Sequence, residues 1–134
     1  MRYLLDTNAW IELLNNPKGN LATKLASLAP SDVALCSVVL GELAVGAYRS
    51  SQPVANLALG HQLVRQFACL AFDEASADPY AQTRSHLEKI GQPIGPYNLQ
   101  IAAIALQHGL IVVTHNLAEF SRVPGLSVED WLGP

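Results

Sequence analysis

Short apolar runs alternate along this chain with longer stretches whose apolar residues recur at spacings of three and four. Arg2 to Leu5 is short and apolar and ends at Asp6-Thr7-Asn8, after which Trp10, Ile11, Leu13 and Leu14 fall at helical spacing. That order predicts strand, turn and helix. Val33 to Cys36 reads as a second strand, and Ser37 suits the N-cap of a helix running through Leu40, Leu43, Ala44 and Ala47. Pro53 to Phe67 and Glu74 to Ile90 carry helical patterns, the second disturbed near its start by Pro79, and Cys69 to Phe72 between them is a short strand. Gly91 closes that helix; Pro96 opens another through Leu99, Ile101, Ala102, Ile104 and Leu106, which Gly109 ends. Leu110 to Val113 is strand-like, and a last short strand includes Leu126 to Val128. Strands separated by helical stretches of this length pair in parallel, with right-handed crossovers and helices on both sheet faces. The pattern predicts a three-layer α/β/α sandwich around a central, mainly parallel sheet.

No low-complexity tract, charge block or repeat divides the 134 residues, so residues 1–134 read as one domain. A chain of this length buries roughly two-thirds of the surface its unfolded form exposes. Half of it is hydrophobic, 14% is charged and the mean hydropathy is +0.21, which excludes intrinsic disorder. The apolar stretches Ile101 to Leu106 and Leu110 to Val113 fall far short of the ~20 residues of a membrane span, and the N-terminus reaches Asp6 before a secretory core forms. The chain is read as cytoplasmic, without a membrane partner. Cys36 and Cys69 lie in apolar runs with no CxxC nearby and read as buried free thiols. The net charge of −3 argues against a protein that coats duplex nucleic acid, but leaves room for an enzyme that holds phosphates through metal ions.

In open parallel sheets, sites form beyond the carboxyl ends of the strands where strand order reverses. The residues found there are Asp6, Thr7 and Asn8 after the first strand, then Ser37 and Glu42 after the second. Near the fourth strand come Asn98 in the first turn of a helix, then Thr114, Asn116 and Glu119. Each has an ordinary alternative: Asp6, Thr7 or Asn98 as a helix cap, Glu42 as a first-turn acid, Asn116 as a turn residue and Glu119 as a surface acid. Together, carboxylates and oxygen donors gathered at one edge, with no Lys or Arg beside them in sequence, repel one another unless a cation lies between them. Hard oxygen ligands that leave waters in place suit magnesium or manganese. Such ions generate a nucleophile and neutralise charge on a phosphodiester.

Other readings fit less well. A receiver domain needs a phosphoacceptor Asp after a middle strand and a Lys after a later one, but only Asp73 approaches the first and Thr114 is followed by His115. A haloacid-dehalogenase phosphatase needs a second Asp where Asn8 stands. No phosphate-binding glycine loop occurs. His61, His86, His108 and His115 are scattered, without HExxH, and read as surface or helix-end residues.

Four segments taken together resemble the successive motifs of VapC-type PIN-domain ribonuclease toxins: Leu4-Leu5-Asp6-Thr7-Asn8, Gly41-Glu42-Leu43, Ile94 to Ala105, and Thr114 to Phe120. The closing stretch Gly125 to Trp131 extends the resemblance over nearly the whole chain. The resemblance implies that Asp6 and Glu42 are metal ligands, that Thr7 steadies the first ligand and a bound water, and that Asn116 and Glu119 complete the rim. It implies magnesium-dependent cleavage of single-stranded or loop RNA, often transfer RNA, by a homodimer neutralised by a cognate antitoxin. It also implies that the apolar positions of Val38 to Tyr48 and Pro53 to Phe67 are covered in part by an antitoxin segment or a second protomer. The departure is at Asn98, where the family carries Asp. Asn keeps one oxygen but loses the negative charge and presents an NH2 donor to a cation. A weakened nuclease is implied, with a PIN-like module that binds RNA or protein without cutting as the alternative.

Overall fold

The structure is a computed structural model in which residues 1–132 are described. Strands β1 (Tyr3–Leu5), β2 (Val33–Cys36), β3 (Ala68–Leu70), β4 (Ile111–Val113) and β5 (Val128–Glu129) form one sheet in the order β3-β2-β1-β4-β5. All four pairings are parallel, with Tyr3 opposite both Val33 and Ile111. Seven helices flank it: α1 (Thr7–Asn15), α2 (Asn20–Ala26), α3 (Ser37–Arg49), α4 (Pro53–Gln66), α5 (Ala77–Lys89), α6 (Pro96–His108) and α7 (Leu117–Phe120). The α/β/α sandwich expected from the alternation is the architecture found.

Strands β1 and β2 are buried at every residue, as parallel strands covered on both faces must be, and for that reason they read as unbroken apolar runs. Helix α6 is apolar around nearly its whole circumference because it is interior: Leu99, Ile101, Ala102, Ala103, Ile104 and Ala105 are all buried. Its Pro96 start and its left-handed Gly109 end fall where the sequence placed them. This central helix therefore fixes its first turn, and with it Asn98, against the sheet.

Several local expectations change. Pro79 does not break α5, because it lies in the first turn, where backbone N–H groups have no helical partner to lose. Ser37 is not an N-cap; Cys36 occupies that position, and Ser37 Oγ instead accepts from Phe72 N at 3.3 Å. Helices α2 and α7 and the 3₁₀ turn Pro30–Asp32 went unseen in the pattern, since each is too short to repeat an apolar period. The last strand is Val128–Glu129, two residues later than its apolar start suggested. Cys36 is buried, and burial pushes its thiol up to about 11. Cys69 is exposed, because β3 is an edge strand whose first two residues are uncovered. All four His are exposed. No helix among the described residues is long and apolar enough to cross a membrane.

Candidate active site

Because the five strands run the same way, the residues that follow them gather at one edge. Strand order reverses at β1, between β2 and β4, so the crevice opens there. Asp6 follows β1 and begins α1 as its N-cap: Oδ1 accepts from Ala9 N at 2.9 Å. Oδ2 accepts from Thr114 Oγ1, just past β4, at 2.6 Å. Only 3% of Asp6 is exposed. Burial holds its carboxyl above the ordinary Asp value, against the pull of the Thr114 and Ala9 hydrogen bonds, and the charges of Glu42 and Asp130 push it further up.

Glu42 lies beyond the first turn of α3, so a first-turn dipole does not account for it. It accepts from Thr7 Oγ1 at 2.5 Å, which ties the start of α1 to α3 and sets a second carboxylate beside the first. No Lys or Arg pairs with Asp6 or Glu42 among the described residues.

A second cluster adjoins this one. Glu119 Oε1 accepts from Gly95 N at 2.6 Å, while Oε2 accepts from Asn116 Nδ2 at 2.6 Å and Asn98 Nδ2 at 3.3 Å. Asn116 is the N-cap of α7 and donates its backbone N–H to Thr114 Oγ1 at 2.8 Å. The Thr114 hydroxyl thus joins the two clusters. The Gly95 amide, with help from the Asn116 and Asn98 amides and Arg122, outweighs desolvation and holds the Glu119 carboxyl below the ordinary Glu value.

Glu119 is therefore a clamp between the loop before α6 and the turn before α7. Glu119→Ala is expected to cost about 1–2 kcal/mol. Because the folded-state value is depressed, the contribution is present above the unfolded value and fades as pH falls through the folded one. Thermal melts of parent and variant should differ at neutral pH and converge in acid; parallel curves at all pH values would show that the clamp contributes nothing.

The edge brings together Asp6, Thr7, Glu42 and Thr114 on one side, and Asn98, Asn116 and Glu119 on the other. Asn8 and Ser37, although at the same edge, are exposed, and Ser37 Oγ is engaged by Phe72 N instead of by either cluster. Asp130 was missed. It follows β5, accepts from Leu132 N at 2.9 Å and meets His115 Nδ1 at 3.0 Å, and its charge reaches Asp6. The rule that pointed to residues after each strand finds it once the last strand ends at Glu129.

Asp6 is a buried carboxylate with like charge beside it and no basic partner, and that observation fits a cation. The donor set is entirely oxygen, which suits magnesium or manganese. Among the described residues no three His, Cys, Asp or Glu side chains gather into a group able to hold a metal ion. Asp6 and Glu42 thus fit an ion that keeps much of its water shell, as magnesium does with one or two carboxylates and substrate phosphate. Asn98 has only its Oδ1 left to offer an ion, because its NH2 is engaged by Glu119.

The PIN domain family matches residues 3–126. The tRNA(fMet)-specific endonuclease VapC of Salmonella typhimurium is 37% identical over 131 residues, covering 98% of this chain and 98% of that protein. Ribonuclease VapC2 of Haemophilus influenzae is 30% identical over 132 residues, covering 98% and 99%. Among solved structures, DNA-bound VapBC from Salmonella typhimurium superposes with a TM-score of 0.91 at 35% identity, covering 98% of each chain. VapBC2 from Rickettsia felis, bound to a DNA fragment from its promoter, gives 0.90 at 30%, covering 98% of this chain and 99% of that one.

Proposed function

This chain belongs to the PIN-domain family, among its VapC-type ribonuclease toxins, and from that premise we propose that it is a magnesium-dependent endoribonuclease weakened by Asn98. The observation that carries the reading is the buried Asp6 carboxylate, set beside Glu42 at the strand-order reversal and lacking a basic partner. Asp6 and Glu42 would hold the ion, either magnesium or manganese. Thr114 aims Asp6, and Thr7 aims Glu42. Asn116 and Glu119 complete the rim and keep the first turn of α6 against it. When bound, the ion supplies charge neutralisation at the scissile phosphate and a more acidic water. The carboxylate frame orients the attack in line with the leaving oxygen.

The substrate class we assign is single-stranded or loop RNA, with transfer RNA favoured by the tRNA(fMet)-specific relative, and the cytoplasm is the proposed setting. A cognate antitoxin and a second protomer are the proposed partners. The neighbouring structures are VapBC complexes, and α3 and α4 leave Val45, Tyr48, Val54, Leu59 and Val64 exposed. The test is cleavage of bulk transfer RNA by purified protein across a magnesium titration. Slow cleavage that rises with magnesium and stops with chelator is expected; cleavage indifferent to both overturns the metal-dependent reading.

One observation favours a second reading. The Asn98 amide is satisfied by Glu119 without any ion, so the rim is self-sufficient as a surface that binds RNA or protein without cutting. Magnesium-independent RNA binding with no cleavage at any metal concentration would select it.

A further inference from the structure

We propose that Tyr97 is a stacking platform for one unpaired RNA base at the rim of the acidic edge, an inference that rests on the ribonuclease reading above. The chain has three Phe, two Trp and four Tyr, and of these only Tyr48 and Tyr97 are exposed. The other rings are drawn inward, in pairs such as Tyr3 with Trp131, Trp10 with Phe67, and Phe72 with Tyr80. Tyr48 lies on α3, within the apolar surface that helix shares with α4. Tyr97 is elsewhere, in the first turn of α6 and one residue before Asn98. It is 56% exposed, although Leu99, two residues on, is 5% exposed.

The backbone under this ring is tied down. Glu119 holds Gly95 N on one side of Tyr97 and Asn98 Nδ2 on the other, and Leu99 N donates to Gly95 O at 2.9 Å. Asn98 is joined to Asp6 through Glu119, Asn116 and Thr114 by consecutive hydrogen bonds of 3.3, 2.6, 2.8 and 2.6 Å. A ring on a backbone ordered in advance loses little freedom when a planar partner lies on it. The acidic edge and the aromatic face are thus parts of one braced unit.

Charge says why such a face is needed. The chain has 8 Lys and Arg against 11 Asp and Glu, and Asp6, Glu42, Glu119 and Asp130 add local negative charge where RNA must approach. Phosphate contacts, the usual source of nucleic-acid affinity, are therefore scarce. Stacking on an aromatic ring does not depend on net charge and accepts any base that has left its own stack. The occupant is for that reason an unpaired base, not a duplex.

The experiment measures anisotropy of a fluorescently labelled RNA oligonucleotide without secondary structure, in chelator, so that no cleavage intervenes. Parent protein, Tyr97→Ala and Tyr97→Phe are titrated, with circular dichroism melts to show that each folds. Tyr97→Ala should bind about tenfold more weakly, and Tyr97→Phe should restore binding. Competition by the duplex form of the oligonucleotide should be poor. Equal affinity of parent and Tyr97→Ala overturns the stacking role while leaving the ribonuclease reading intact. Loss of self-association or antitoxin binding in Tyr97→Ala, with RNA affinity unchanged, overturns it in favour of a protein contact. Failure of the parent to bind the RNA in chelator also overturns the stacking role, and the ribonuclease reading then stands or falls on the magnesium titration of cleavage.

Discussion

Asn98→Asp is expected to raise magnesium-dependent RNA cleavage by about 10²-fold or more, since misplacing or losing one group that orients the reacting atoms commonly costs that much. The change has a second consequence that the structure makes measurable. Asn98 Nδ2 lies 3.3 Å from Glu119 Oε2, so Asp at this position sets two carboxylate oxygens against each other and removes a hydrogen bond. In chelator the variant should be less stable than the parent, by about 1 kcal/mol for a partly buried pair. Magnesium should recover this, because an ion bound to the folded state alone raises its stability. The expected signature is therefore a variant with the lower melting temperature in chelator and the larger gain on adding magnesium, together with faster cleavage and stronger growth arrest when expressed without antitoxin. Should it cleave no faster and gain no more from magnesium than the parent, residue 98 is not a ligand and the non-cleaving reading takes precedence.

Asp6→Asn should abolish the remaining cleavage and the magnesium-dependent gain in stability, yet leave the fold intact. The amide oxygen can still cap α1 by accepting from Ala9 N, and its NH2 faces the Thr114 hydroxyl oxygen, which can accept. The folded-state value of Asp6 is raised, so in the absence of metal its contribution to stability is greatest while it is protonated and is lost as pH rises through that value. The variant has no such loss. At neutral pH in chelator its melting temperature should equal or exceed that of the parent, and the parent should fall behind as pH rises from acid. Unchanged magnesium affinity by calorimetry in Asp6→Asn would place the metal elsewhere. A collapse of the fold would instead mean that the Thr114 hydrogen bond matters more than the charge.

The alternation of short apolar runs with helical periods was sufficient for the sandwich, because a strand buried on both faces must be apolar throughout and a crossover helix must show one apolar stripe. Pro96 and Gly109 marked the ends of α6 through backbone constraints that act locally. Asp6, Glu42, Asn98, Asn116 and Glu119 were legible as a group, since a parallel sheet sends every residue that follows a strand to the same edge. Short elements escaped, α2 and α7 among them, because a pattern needs about two turns to repeat. Cys69 was misjudged because a strand's composition does not say whether it lies at the centre or the edge of the sheet.

The partnerships within the site belong to tertiary structure alone. Thr114 lies 108 residues from the Asp6 it holds, Glu42 is 35 from Thr7, and Glu119 is 21 from the Asn98 amide it accepts. Sequence determined which groups arrive at the edge, because strand direction is written in local hydrophobic order. Which carboxylate is buried beside like charge without a basic partner, and which is absorbed into a clamp of amides, was decided only by packing, of β4 beside the start of α1 for Asp6 and of the α6 start against the α7 turn for Glu119. A carboxylate's protonation depends on burial and on donors within a few ångströms, and neither is a property of its sequence neighbours.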